Sequence, residues 1–361
     1  MEAVEAVINC EMMKNKLILQ WHITSRCNKR CKHCYIEDYE YTELNIDNLL
    51  EIGQEYLKLL NEYNKINNCN LKGQINITGG EPFTYQNIWT LFDFFKEHED
   101  SFDFAILTNG SYLNEETVKR LKTYSPKFVQ ISLDGNEGTH DDIRGKGSFK
   151  EVENALYMLQ KYKIKSMVSF TANNSNYKEF SDVVKTARKY KAYKVWTDRM
   201  VPIGSSNKSD IDTLNSEMLK EYITIIRREK LKLINRFSKI NIGGERSLHF
   251  LNGVSGCYKC NAGNGLIIIL ENGDVMPCRR LPLVCGNIYD KEKNIIIKDE
   301  LKNIYFNSHI FKNLRNFIDT PIGCEKCSFI NICGGGAKCI SYGVYGDYKH
   351  GDFACPLKNL D

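Results

Sequence analysis

Residues 25–35 read SRCNKRCKHCY and place Cys27, Cys31 and Cys34 in a C-x3-C-x2-C spacing. A closed structural metal site takes four protein ligands, whereas a metal that does chemistry keeps a position open. Three thiolates on one short loop therefore read as holding an iron–sulfur cubane with one iron left for an outside ligand. A zinc site completed by His22 or His33 is the competing reading of the same residues. The loop follows the strand-like run KLILQWHI (16–23) and precedes an amphipathic run at 45–63. That sequence of elements puts it at the C-terminal end of a strand, where α/β sheets bind their ligands.

Working outward, short apolar runs at 16–23, 74–80, 102–110, 127–135, 165–173 and 194–202 alternate with helical patterns at 45–63, 88–98, 115–124, 148–162, 180–190 and 216–230. Repeated strand–helix alternation implies a parallel sheet with helices outside it, open or closed into a barrel. Gly79–Glu81, Thr108–Gly110 and Ser132–Asp134 fall at strand ends, on the same side as the cysteine loop. Residues 203–215 read as a loop. From about 255 glycine and cysteine rise, long helices become rare, and 265–278 reads as a hairpin turning at Asn272-Gly273.

The chain has 361 residues, enough for two domains, with 42% hydrophobic and 26% charged residues. A net charge of +4 is small for that length and gives no reason to expect nucleic acid as a partner. No signal peptide and no membrane span is evident, so a cytoplasmic protein is expected. The 14 cysteines cluster at 27–34 and 257–355, leaving Cys10 and Cys69 apart as plain buried thiols. Clustered C-x2-C pairs in such a chain point to metal or redox chemistry rather than to disulfides.

The cysteine loop, with Tyr35 behind it, resembles the signature of radical S-adenosylmethionine (radical SAM) enzymes. GGEP at 79–82, TNG at 108–110, SLDG at 132–135 and HDDIRG at 140–145 follow in the family's order. The resemblance implies an α/β fold, a partial (β/α)6 TIM-like barrel followed by a small cysteine-rich, loop-rich iron–sulfur domain. It implies SAM contacts from His33, Gly79, Gly80, Glu81, Asn109, Ser132 and Arg144, with Met200 beside the adenine. Glu81 would offer charge to the SAM ammonium, and Arg144 would suit a carboxylate. The family's chemistry is one-electron cleavage of SAM to a 5′-deoxyadenosyl radical that takes hydrogen from a substrate.

Cys260, Gly273 and Cys278, then Cys324, Cys327 and Cys333, resemble the SPASM extension of that family. The resemblance implies two auxiliary [4Fe–4S] clusters beside the SAM-binding one. One would take Cys257, Cys260, Cys278 and Cys339, the other Cys324, Cys327, Cys333 and Cys355. Cys285 is an extra cysteine, a candidate replacement for Cys257 or a hydrogen donor. The expected divisions are an extension at 1–16, the barrel at 17–235, a linker at 236–256 and the SPASM-type domain at 257–361.

SPASM proteins mostly modify peptides and proteins. Arg279 stands where sulfatase maturases place an aspartate base, and arginine cannot act as one, although Asp274 is near in sequence. The resulting expectation is maturation of a ribosomally made peptide by thioether or carbon–carbon crosslinking or by epimerisation. Some sixteen residues precede the barrel, so no winged-helix leader-binding domain is expected there. The leader would be read by the barrel mouth, by residues 203–256 or by a separate recognition protein. An electron donor such as flavodoxin or ferredoxin is implied. The competing expectations are porphyrin side-chain decarboxylation, formylglycine formation, and a zinc-stabilised binding protein.

Overall fold

In a computed structural model of the chain, the described residues are 16–36, 43–205, 211–243, 248, 251, 259–316 and 319–358. The expected extension at 1–16 thus lies almost wholly outside them. Six parallel strands follow one another in space as in sequence: β1 (Ile18–His22), β2 (Gly73–Thr78), β3 (Phe102–Thr108), β4 (Val129–Ser132), β5 (Ser166–Ala172) and β6 (Lys194–Arg199). Each crossover carries a helix, as parallel neighbours require. The helix Ile46–Ile66 begins because the Asn45 side chain accepts from the Asn48 amide, and its Leu49, Ile52, Tyr56, Leu59 and Tyr63 face is buried.

Strand alternation separates the two faces of the sheet. Trp21, Phe102 and Phe104 face the helices, where the Phe95 ring lies 6.5, 5.6 and 5.2 Å from theirs. The other face is more polar. Gln20 is in register with Asn76, Ser132 with Ser169, and Ser169 with Trp196. These side chains line the inner wall of an incomplete barrel, consistent with the partial TIM-like fold expected from the sequence.

Two findings extend that expectation. The stretch read as a linker, 236–256, contains a seventh parallel strand, β7 (Asn241–Ile242), paired with β6. The hairpin β8 (Leu266–Ile269) and β9 (Asp274–Met276) is present as expected, but it does not stand apart. β8 pairs in parallel with β1, Leu266 opposite Ile18 and Ile269 opposite Trp21. With β10 (Gly286–Asn287) antiparallel to β9, the described residues form one ten-stranded sheet. The cysteine-rich part therefore continues the barrel wall on the β1 side. The sequence reading also misses the helix Glu137–Arg144, capped by Asn136 through the Thr139 amide. No helix among the described residues is long and apolar enough to cross a membrane.

Candidate active site

The cysteine loop leaves the end of β1 and is held from two sides. Toward β2, the Gly80 amide donates to Thr24 O at 2.8 Å and the Glu81 amide to Arg26 O at 2.7 Å. A Cβ on Gly80 would lie 2.1 Å from the Arg26 carbonyl oxygen, and one on Gly79, at φ +152°, 2.4 Å from that of Thr24. The glycines thus admit the backbone of the cysteine loop itself. Toward the helix Glu137–Arg144, the Lys32 amide donates to Ile143 O at 3.0 Å.

Within the loop, the Lys29 amide points at Cys27 Sγ and the Ile36 amide at Cys34 Sγ, each at 3.4 Å. Arg144 Nη1 lies 3.8 Å from Cys31 Sγ. Burial pushes the Cys31 thiol up to about 11, against the pull of Arg144 and with Cys34 and Cys27 adding to the rise. Thiols in such a place become thiolates when a metal takes their charge, and the N–H donors aimed at sulfur suit that state. The residues present therefore fit an iron–sulfur cluster.

Asp134, which the sequence reading placed at a strand end without a role, is the hub of the site. Its carboxylate is fully buried and accepts from Arg144 Nε at 2.5 Å and the Thr171 amide at 3.0 Å, and it pairs with His33 Nε2 at 2.8 Å. Its amide donates to His140 Nδ1 at 3.0 Å. Burial alone would raise this carboxyl, but Arg144 and His33 hold it well below the usual carboxylate range. The signal for it was the ten-residue interval between Asp134 and Arg144, which a short helix folds into contact.

Other expected cofactor residues take different places. Glu81 is completely buried, and its carboxylate accepts from Thr108 Oγ1 at 2.7 Å, the Asn109 amide at 2.8 Å and the Phe83 amide at 3.3 Å. Its side chain thus ties these loops together, where the sequence led us to expect it at an ammonium group. Asn109 reaches across to Asn28 Oδ1 at 2.9 Å and so braces the cysteine loop. Ser132 is half-buried at the end of β4. Met200 is 2% exposed and packed with Ile143 and Ile211, so its side chain is covered by this chain rather than open to an adenine. His33 meets Asp134 through Nε2, and His22 is buried beside Tyr35 with ring centroids 6.2 Å apart.

The later cysteines form two groups. Cys324, Cys327, Cys333 and Cys355, expected together as one ligand set, line one small cavity with Asp352. Cys260, Cys278 and Cys339 lie together in a second, smaller apolar core, where burial pushes the Cys339 thiol up to about 12. Cys257 lies outside the described residues. Cys285 does not join this group. Its Sγ lies 3.4 Å from Leu283 O, and its charged neighbour is Arg315. The Cys278–Leu281 bridge reverses the chain, and the Cys285 amide, just before β10, donates to Val275 O at 2.8 Å. Cys285 packs against the main core, apart from Cys260, Cys278 and Cys339.

Between the cysteine loop and the second group lie Arg279 and Arg280. Arg279 sits over the Tyr35 ring at 4.6 Å, and Arg280 pairs with Asp198 at the end of β6 at 2.6 Å. Burial, with Arg279 adding to it, lowers the His22 imidazole well below its ordinary range.

Comparison with known proteins agrees with this arrangement. Residues 21–187 match the radical SAM superfamily, and residues 260–328 match the SPASM iron–sulfur cluster-binding domain. The AdoMet-dependent heme synthase of Methanosarcina barkeri is 25% identical over 94% of this chain and 95% of its own length. The mycofactocin maturase of Mycolicibacterium smegmatis is 25% identical over 90% of this chain and 79% of its own. Among solved structures, Streptococcus suis SuiB bound to the precursor peptide SuiA superposes with a TM-score of 0.68, at 17% identity, over 98% of this chain and 80% of that one. With its cysteine loop at the mouth of a partial barrel and its later cysteines gathered behind that wall, this chain is a radical SAM enzyme with a SPASM domain.

Proposed function

We propose that this enzyme matures a ribosomally made peptide, using SAM and three [4Fe–4S] clusters. SAM bound at the open iron would supply the hydrogen-abstracting radical. The observation carrying the reading is the network at the SAM side: three thiols on one loop, with Arg144 beside Cys31 and oriented by buried Asp134. Arg144 and Ser132 would hold the SAM carboxylate, and Asn109, Gly79 and Gly80 would fix the loop. Residues of the inner wall, among them Gln20, Asn76, Ser169 and Trp196, would line the substrate chamber. The peptide assignment draws on likeness to mycofactocin maturase and on the shared fold of SuiB, which was solved with a precursor peptide. Decarboxylation of a tetrapyrrole is the second reading, favoured by likeness to a heme synthase along nearly the whole chain.

The test is anaerobic reconstitution followed by iron analysis and assay of 5′-deoxyadenosine. About twelve irons per chain are expected, four per cubane. Replacing Cys27, Cys31 and Cys34 together with alanine should remove about four of them and abolish 5′-deoxyadenosine. Continued formation of that product would refute the site. Short peptides encoded beside the gene are the first substrates to try, with iron-coproporphyrin III as the rival. The first reading requires a SAM-dependent change in the peptide: loss of hydrogen mass on crosslinking, or uptake of solvent deuterium in D2O on epimerisation.

A further inference from the structure

Three arginines near the strand ends each have a carboxylate partner. Arg144 meets Asp134 at 2.5 Å, Arg199 meets Asp352 at 2.5 Å, and Arg280 meets Asp198 at 2.6 Å. Arg279 is different. Among the described residues its contacts are the Tyr35 ring at 4.6 Å and the Tyr35 carbonyl at 3.5 Å. Its Nε is buried with no hydrogen-bond partner. A ring face offsets part of the cost of desolvating a guanidinium, but it leaves the planar donor fork unused. A buried donor without an acceptor is costly and rare in folded proteins.

Among the described residues no carboxylate meets Arg279 at ion-pair distance. Glu271 is near enough for Arg279 to pull its carboxyl down against the rise that burial causes. The position is central: Arg279 follows Cys278 of the second cysteine group and rests on Tyr35, which follows Cys34 of the SAM-side loop. A group held there lies between the two.

We propose that Arg279 is the anchor for a carboxylate on the substrate, either an acidic side chain or C-terminus of a peptide or a propionate of a tetrapyrrole. This rests on the reading that the barrel mouth takes the substrate. The open fork would accept the carboxylate in a bidentate pair, and Tyr35 would hold the guanidinium plane during the exchange of water for substrate. The arginine that removes a base from this position thereby gives it a specificity role.

The proposal is tested on anaerobic holoenzyme by labelling arginines with phenylglyoxal and reading each site by peptide mass spectrometry. Saturating propionate should slow labelling of Arg279 by about fivefold or more, given the strength of bidentate carboxylate pairs. Propionamide should not slow it, nor should propionate slow labelling of Arg120, whose guanidinium lies over the Trp89 ring at 4.2 Å. Equal rates with propionate and propionamide, or equal slowing at both arginines, overturn the proposal. In a second arm, iron-coproporphyrin III and a glutamate-containing peptide are compared with their carboxylate esters. Protection by one acid but not its ester supports the proposal and names the source, whereas equal protection by acids and esters overturns it. The labelling reads the guanidinium and not turnover, so its result is separate from that of the 5′-deoxyadenosine assay.

Discussion

Glu81 carries a negative charge into a place with no exposed surface. Burial raises its carboxyl from an ordinary 4.5 to about 7, although three donors to its oxygens pull the other way. A folded state that holds the proton more tightly than the unfolded chain is favoured by it at low pH. Its stabilising contribution is complete below pH 4.5 and is lost as pH rises through about 7. Glu81→Gln removes the titration while keeping the shape. The variant should therefore gain on wild type as pH rises, by at most about 3 kcal/mol from pH 5 to 8. Urea midpoints of both proteins near the two ends of that range check this, and a constant difference would refute it. The case also shows what the sequence could convey. GGEP marked the right loop, and a glutamate beside glycines looks like a ligand for an ammonium group. Only the register of β2 against β3 reveals that the carboxylate turns inward to Thr108 and Asn109.

At the scale of elements, the strand–helix alternation was legible because every crossover carries its own periodic apolar face. The helix Glu137–Arg144 was not, since its eight residues bury only His140 and Ile143 and give no such pattern. Yet that helix brings Arg144 back to Asp134 and receives the Lys32 amide of the cysteine loop. The packing of Cys285 was illegible for a related reason: spacing along the chain says nothing of the reversal at Cys278–Leu281. The contact of β2 with the cysteine loop makes a sharp prediction. Gly80→Ala must push the Arg26 backbone away from a Cβ at 2.1 Å, and a backbone atom cannot step aside as a flexible side chain can. The variant should keep the auxiliary irons and lose most of the roughly four irons of the SAM-side cluster. Iron analysis with electron paramagnetic resonance of the reduced protein distinguishes this from general misfolding, which would lower all three clusters together.

At the scale of the molecule, two of the links between the barrel and the cysteine-rich segment stand out. β8 extends the sheet beyond β1, and Arg199 at the end of β6 reaches Asp352 across 153 positions of sequence. That pair is buried, with Asp352 also accepting from the Ala337 and Ala354 amides at 3.2 and 3.1 Å. Asp352 lies against the cavity of Cys324, Cys327, Cys333 and Cys355, so the same carboxylate organises a cysteine group and fixes it to the barrel. A buried ion pair contributes little beyond a hydrophobic replacement, but a partner left alone is expensive. Asp352→Asn keeps an acceptor for only one of the two amides, because they bond different oxygens, and it strands the Arg199 charge, so it should cost about 3–5 kcal/mol. Arg199→Met in the same chain removes the stranded charge and should recover most of that loss. The check is a double-mutant cycle read from denaturant midpoints of reconstituted protein. If the two single losses simply add in the double variant, the ion pair is not what couples barrel to cysteine-rich segment, and the β8–β1 pairing with the remaining contacts, Arg280–Asp198 among them, must hold them.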